Sequence, residues 1–143
     1  MTGAEVKQNI ESKWSGKISE IGLKSEKRLF VTISPESLPE VAQYLFDDLK
    51  CRFITASALQ SKRGFEIYYH FSVDVIGLII NVHVVLPESK PEVESLANIS
   101  VATNWIEREM HELFGIIFLN HPNMEKLISE GNWEEGEYPL RKN

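Results

Sequence analysis

The chain has 143 residues, which suits one domain built around one hydrophobic core. Hydrophobic residues make up 43% and charged residues 25%, and the net charge is −6. That balance fits a globular domain and argues against a general binder of nucleic acid or of an anionic membrane, either of which would carry a basic face. Cys51 is the only cysteine, so no intramolecular disulfide and no thiolate cluster for zinc or iron–sulfur can form within this chain.

The N-terminal "MTGAEVKQNIESKW" lacks the apolar centre of a signal peptide. The longest apolar run, "VIGLII", falls far short of the roughly twenty residues that span a bilayer. The expectation is a chain soluble by itself. Val6, Ile10 and Trp14 recur at helical spacing and predict a short amphipathic helix, with Gly16 as its stop. "RLFVTIS" predicts a strand with Leu29, Val31 and Ile33 on one face. In "SLPEVAQYLFDDLK" the residues Leu38, Val41, Ala42, Leu45, Phe46 and Leu49 form one apolar stripe, so a second helix follows. Ser37 and Glu40 have the spacing of a capping box, and Pro39 is tolerated in the first turn.

Three strands come next. Cys51 stands at the start of "RFITASAL" and reads as a small buried residue. "FEIYYHFSV" alternates strictly, pointing Phe65, Ile67, Tyr69, Phe71 and Val73 inward. "LIINVHVVL" does the same with Leu78, Ile80, Val82, Val84 and Leu86. The short turns "SKRG" and "DVIG" make the three an antiparallel meander. The register places Val73 opposite Leu78 and His70 opposite Asn81, with His83 a diagonal neighbour on the same polar face. Two histidines with Glu66 nearby could begin a metal site. Zinc needs three or four ligands, so the simpler reading is polar-face histidines.

Pro87 and Pro91 bracket a loop, and "TNWIEREMHELF" predicts a third helix with Thr103 as its N-cap and left-handed Gly115 at its end. Ile106, Met110, Leu113 and Phe114 share its apolar face. Glu107 and Glu109 fall on opposite borders of that stripe and Arg108 near the back, so the three charges are poorly placed to converge on a substrate. Glu107 and His111, four apart, are within reach of each other along the helix. "HELFG" begins like a zinc-protease motif but has Gly115 in place of the second histidine, and Arg108 stands where a di-iron site needs glutamate. No nucleophile elbow, P-loop or dinucleotide fingerprint occurs in the chain. The end, "SEGNWEEGEYPLRKN", carries Trp133, Tyr138 and Leu140 among glycines and charges. It suits a partner interface or a tail folded back on its own domain.

The order predicts an α+β fold: a mostly antiparallel sheet, helices packed on one face, and an extended irregular C-terminal tail. Residues 1–119 form the single domain, and residues 120–143 form a partner-binding tail.

The stretch "EREMHELFGIIFLNHPNMEKLISEGNWEEGEYPLRK" resembles the signature of the complex I thirty-kilodalton subunit family, found in respiratory NADH dehydrogenase. The matching positions are Glu107, Arg108, Glu109, Leu113, Phe114, Gly115, Phe118, His121, Pro122, Leu127, Trp133, Gly136, Pro139, Leu140, Arg141 and Lys142. Relatives occur in energy-converting nickel–iron hydrogenases, formate hydrogenlyase and coenzyme F420 dehydrogenases. The resemblance implies a non-catalytic subunit of the hydrophilic arm that binds no cofactor or metal. It would pack against the large subunit, which bears the quinone or nickel–iron site, alongside iron–sulfur subunits of the same complex. It would meet the membrane only through that complex, on its cytoplasmic face. On this reading Glu107, Arg108 and Glu109 fix the helix and its junction with the large subunit. His121 and Pro122 set the turn that launches the tail. Trp133, Pro139, Leu140, Arg141 and Lys142 anchor the tail on the partner.

The chain departs from the family at Glu112, where aspartate is usual, and at Asn123, Glu125 and Lys126, where the common "HPDLRR" reads "HPNMEK". Its short length favours the archaeal or hydrogenase-type relatives. Two other readings stand beside this one: a small metal-dependent enzyme using His70 and His83, and a free-standing adaptor domain.

Overall fold

A computed structural model describes residues 1–123 and 138–141 of the chain. In order, the elements are α1 (Gly3–Lys13), β1 (Ile18–Ser25), β2 (Arg28–Ile33), α2 (Leu38–Asp47), β3 (Arg52–Ser61), β4 (Gly64–Val73), β5 (Leu78–Leu86), β6 (Glu92–Glu94), α3 (Asn104–Phe114) and β7 (Ile117–Leu119). Strands β1 to β5 make one sheet in the order β1-β2-β5-β4-β3. The β1–β2, β5–β4 and β4–β3 pairs are antiparallel, and β2 runs parallel to β5 at the centre. The fold is α+β, as the pattern predicts.

The alternation in β4 and β5 decides which face is covered. Phe65, Ile67, Tyr69, Phe71 and Val73 are all buried, as are Leu78, Ile80, Val82, Val84 and Leu86. The predicted register holds: Val73 pairs with Leu78, and His70 with Asn81. Leu29, Val31 and Ile33 of β2 join the same core. Val6, Ile10 and Trp14 from α1 pack there too, with Leu38, Val41, Ala42 and Leu45 from α2 and Met110 and Phe114 from α3. Each such side chain contributes about 1.5–3 kcal/mol by leaving water. Edge-to-face ring pairs order the layer, with Phe71 between Phe46 and Phe53 and Trp14 against Tyr44. Cys51 is buried just before β3, and that burial, with Asp74 nearby, pushes its thiol up to about 12. It is inert as a nucleophile at neutral pH.

Three features differ from the sequence reading. Strand β1 is absent from it because the alternation of Ile18, Ile21 and Leu23 is broken by irregularities on either side of Glu20–Leu23, which put the period out of step. Strands β6 and β7 pair in parallel and are three residues each, too short to show a period. The Ser37–Glu40 capping box does not form. A 3₁₀ turn over Pro35–Ser37 leads straight into α2, so Ser37 has helical angles and its hydroxyl pairs with Ser34. Glu40 instead accepts from the Trp14 indole at 3.3 Å, tying α2 to α1.

One polar atom in the core has no partner among the described residues: the Tyr69 hydroxyl, fully buried on β4. A stranded hydroxyl costs about 1–3 kcal/mol of desolvation. Tyr69→Phe is therefore expected to leave stability unchanged or raise it by about 1 kcal/mol in urea unfolding. A loss above that size would show that the hydroxyl has a partner.

Candidate functional site

Two polar clusters break the general rule of apolar burial. The first lies on the uncovered face of the sheet. His83 of β5 is buried between its neighbours, with Nδ1 2.9 Å from the Thr32 hydroxyl and Nε2 2.7 Å from Glu66 Oε1. Tyr68 stacks on its ring at 4.4 Å. Burial pushes the Glu66 carboxyl up, but hydrogen bonds from Ser61 and His83 and the charge of Arg63 outweigh it and hold Glu66 below its usual range. The carboxylate therefore accepts from His83 Nε2–H. His70 turns its Nδ1 to the Asn81 side chain. The two histidines do share a face, but both nitrogens of His83 are engaged. Among the described residues no three His, Cys, Asp or Glu side chains gather as a metal would require. The metal-site reading has no geometric support there.

The second cluster surrounds α3. Its buried stripe runs through Thr103, Glu107, Met110 and Phe114, spaced four, three and four residues apart. Glu107 thus sits in the middle of the stripe, not on its border. Its carboxyl is 0% exposed and accepts from the Ser95 hydroxyl at 2.6 Å and the Leu96 amide at 2.8 Å. These donors belong to the turn after β6, which needs an acceptor once α3 covers it. Burial pushes the Glu107 carboxyl up to about 7; the bonds from Leu96 and Ser95 pull down and Glu94 adds to the rise. Arg108 and Glu109 are half-buried and do not join this cluster's hydrogen bonds to Ser95 and Leu96. His111 does not turn to Glu107; its Nδ1 donates to the Ile116 carbonyl at 2.9 Å. Thr103 stands at the predicted N-cap position, but its side chain does not cap the helix. It closes a 3₁₀ turn with helical angles, and its hydroxyl donates to the Ser100 carbonyl.

Gly115 ends α3 in the left-handed conformation, as predicted, at φ +75°. A second reason for glycine appears only in three dimensions. A Cβ there would lie 2.6 Å from the Tyr138 ring and 2.8 Å from Arg141 Nη2. Arg141 Nε donates to the Phe114 carbonyl at 3.0 Å, and the Leu140 amide donates to the Leu113 carbonyl at 3.0 Å. The guanidinium lies over the Phe65 ring at 4.9 Å and the Tyr138 ring at 5.0 Å. Residues 138–141 therefore cap the last carbonyls of α3 with a cation, where the helix dipole favours one. Pro139 and Leu140 stay exposed on the outer side of this cap.

His121 lies at the other end of α3, its Nε2 3.2 Å from the Asn104 carbonyl and 3.7 Å from Glu107 Oε1. Pro122 follows in an exposed bend. Trp133 and Lys142 lie outside the described residues.

Sequence reasoning missed Ser95 and Leu96 as partners of Glu107. The signal was present: Glu107 keeps helical spacing with Met110 and Phe114, which placed it in the apolar stripe.

Gly115→Ala is expected to cost at least about 1–2 kcal/mol in chemical denaturation, from left-handed strain together with the displaced Tyr138 and Arg141. A neutral result would show that residues 138–141 are not seated there. Glu107 also makes a pH prediction. Its carboxyl is raised from 4.5 to about 7 on folding, so its contribution is fully present below about 4.5 and is lost as pH rises through about 7. Glu107→Gln imitates the protonated acid. The stability of wild type relative to this variant should fall by about 2 kcal/mol between pH 5 and pH 8. Parallel stability curves would refute the assignment.

The chain matches, over residues 31–143, the family described as "Respiratory-chain NADH dehydrogenase, 30 Kd subunit". It is 29% identical to the C subunit of the F(420)H(2) dehydrogenase of Methanosarcina mazei, over 99% of this chain and 91% of that one. It is 34% identical to the C subunit of the NADH-quinone oxidoreductase of Roseiflexus sp., over 80% of this chain and 68% of that one. A chain of the membrane-bound sulfane sulfur reductase, an archaeal respiratory membrane complex, has the same fold. Its TM-score is 0.81 at 23% identity, over 96% of this chain and 82% of that one. The family match takes in all of the polar cluster around α3, Gly115 and the Arg141 cap, and the chain accordingly belongs to the thirty-kilodalton subunit family of the respiratory-chain NADH dehydrogenase.

Proposed function

We propose that the chain works by docking and not by chemistry of its own, as a peripheral subunit of a complex I-like oxidoreductase. One observation carries this reading. The polar groups of the α3 cluster are turned inward on one another, while large apolar side chains stay exposed on the elements around them. Val101 is 86% exposed, Trp105 58% and Leu140 50%, and Ile117 and Leu119 of β7 also point outward. Exposed aromatic and aliphatic anchors beside an ordered scaffold suit a protein interface.

The partner in this proposal is the large subunit of a complex I-like or nickel–iron hydrogenase complex, with iron–sulfur subunits of the same complex nearby. Glu107 sets the position of α3 from within, and Arg108 and Glu109 lie at the junction. His121 and Pro122 direct the chain out of the domain. Pro139 and Leu140 meet the partner, Arg141 holds them in place from behind, and Trp133 and Lys142 extend the contact. The chain holds no cofactor or metal and supports electron transfer by holding its neighbours in position. No helix among the described residues is long and apolar enough to cross a membrane. The proposal has the chain attached through the complex, on its cytoplasmic face.

A tagged copy recovered from native membranes should bring with it a large subunit of this kind, identified by mass spectrometry. A Trp105→Glu, Leu140→Glu variant should lose at least about tenfold of that recovery, since charge at a desolvated anchor costs more than about 1.4 kcal/mol, while its own melting curve is preserved. Recovery of the wild-type chain alone, under conditions that keep such complexes intact, would overturn the docking role.

A further inference from the structure

His121 lies just after β7, beside the first turn of α3, and its side chain is only 1% exposed. Both ring nitrogens are engaged. Nε2 faces the Asn104 carbonyl at 3.2 Å, a group that only accepts, so Nε2 carries the hydrogen. Nδ1 receives the Asn123 amide at 2.9 Å, a group that only donates, so Nδ1 presents its lone pair. The two bonds together select the neutral ring in a single tautomer. The Nδ1 bond closes the turn over Pro122.

An imidazolium carries a hydrogen on both nitrogens. Protonation at Nδ1 would set that hydrogen against the Asn123 N–H and abolish the bond between them. It would also place a cation 3.7 Å from Glu107 Oε1. We propose that His121 is a proton-linked latch on the turn over Pro122. Neutral His121 holds the Asn123 amide and fixes that turn. Protonated His121 has no lone pair for the amide and releases it.

The surroundings hold the latch closed at neutral pH. Burial, and then Arg108 and His111 on α3, oppose charge on His121, against a smaller opposite pull from the Asn104 carbonyl. Burial, with Glu94 at the end of β6, opposes charge on Glu107. The Tyr69 hydroxyl on β4 is the remaining titratable group that senses Glu107. The proton that opens the latch comes from solvent, so opening belongs to mildly acidic conditions. The inference is independent of the docking role, because every group in it belongs to this chain.

The test is nitrogen-detected NMR of the ¹⁵N-labelled full chain across pH 5 to 8. His121 should show the Nε2–H tautomer at high pH and titrate below the range of a free histidine, and the Asn123 amide resonance should move upfield with the same midpoint. Asn123→Pro removes the donor from an exposed position, frees Nδ1, and should raise the His121 midpoint. An Nδ1–H tautomer, an Asn123 resonance indifferent to the titration, or an unmoved midpoint in Asn123→Pro would each overturn the latch.

Discussion

The carboxyl of Glu107 is the point on which the C-terminal third depends. It accepts two donors from the turn after β6, and nothing apolar in its place could satisfy them. Leaving the Ser95 hydroxyl and Leu96 amide unpaired under a helix would cost about 1–3 kcal/mol each. With the acid in place, α3 lies in one position over the sheet. Phe114 then meets Phe65, β7 pairs with β6, and His121 arrives over the first turn of the helix. The acid is tolerated because its protonated form remains available near neutral pH, which spares the core an isolated charge.

The two ends of α3 are finished by different means. At the start, a 3₁₀ turn runs straight into the helix and the Thr103 side chain makes no cap, while the His121 ring donates to the first helical carbonyl. At the end, glycine takes the left-handed position and Arg141 supplies both a donor and a charge to the last carbonyls. A guanidinium suits this place because its flat fork hydrogen-bonds at one edge while its face covers two aromatic rings. The positions that carry the family signature here (Glu107, Gly115, His121 and Arg141) therefore serve the architecture of one helix. That makes the apolar side chains left outside it the better indication of function.

The parts of the fold that could be read from the sequence are those whose physics is local and periodic. β4 and β5 alternate without a break because one face of each is wholly covered, so even their register followed from a four-residue turn. The α2 stripe and the left-handed Gly115 were legible for the same reason. The rest depended on partners far away in the chain. β1 is an edge strand whose irregular pairing blurs its period, and β6 and β7 are strands only because each pairs with the other. Ser37 and Thr103 look like caps by type and spacing, but each is preceded by a 3₁₀ turn that already gives it helical angles. Glu107 reads as a border charge when the stripe is drawn through Ile106 and Leu113, which prove only half-buried; its spacing with Met110 and Phe114 points inward.

The parallel pairing of β2 with β5 has a kinetic side. Residues Arg28 to Thr32 must find Ile79 to His83 across an intervening helix and two strands, whereas β3, β4 and β5 join through tight turns. Closing the short hairpins costs far less chain entropy than closing that long loop. The meander is thus the natural template, and the N-terminal hairpin with α1 adds to its finished edge. On a growing chain the N-terminal hairpin therefore has no neighbouring strand to join until β5 has been made.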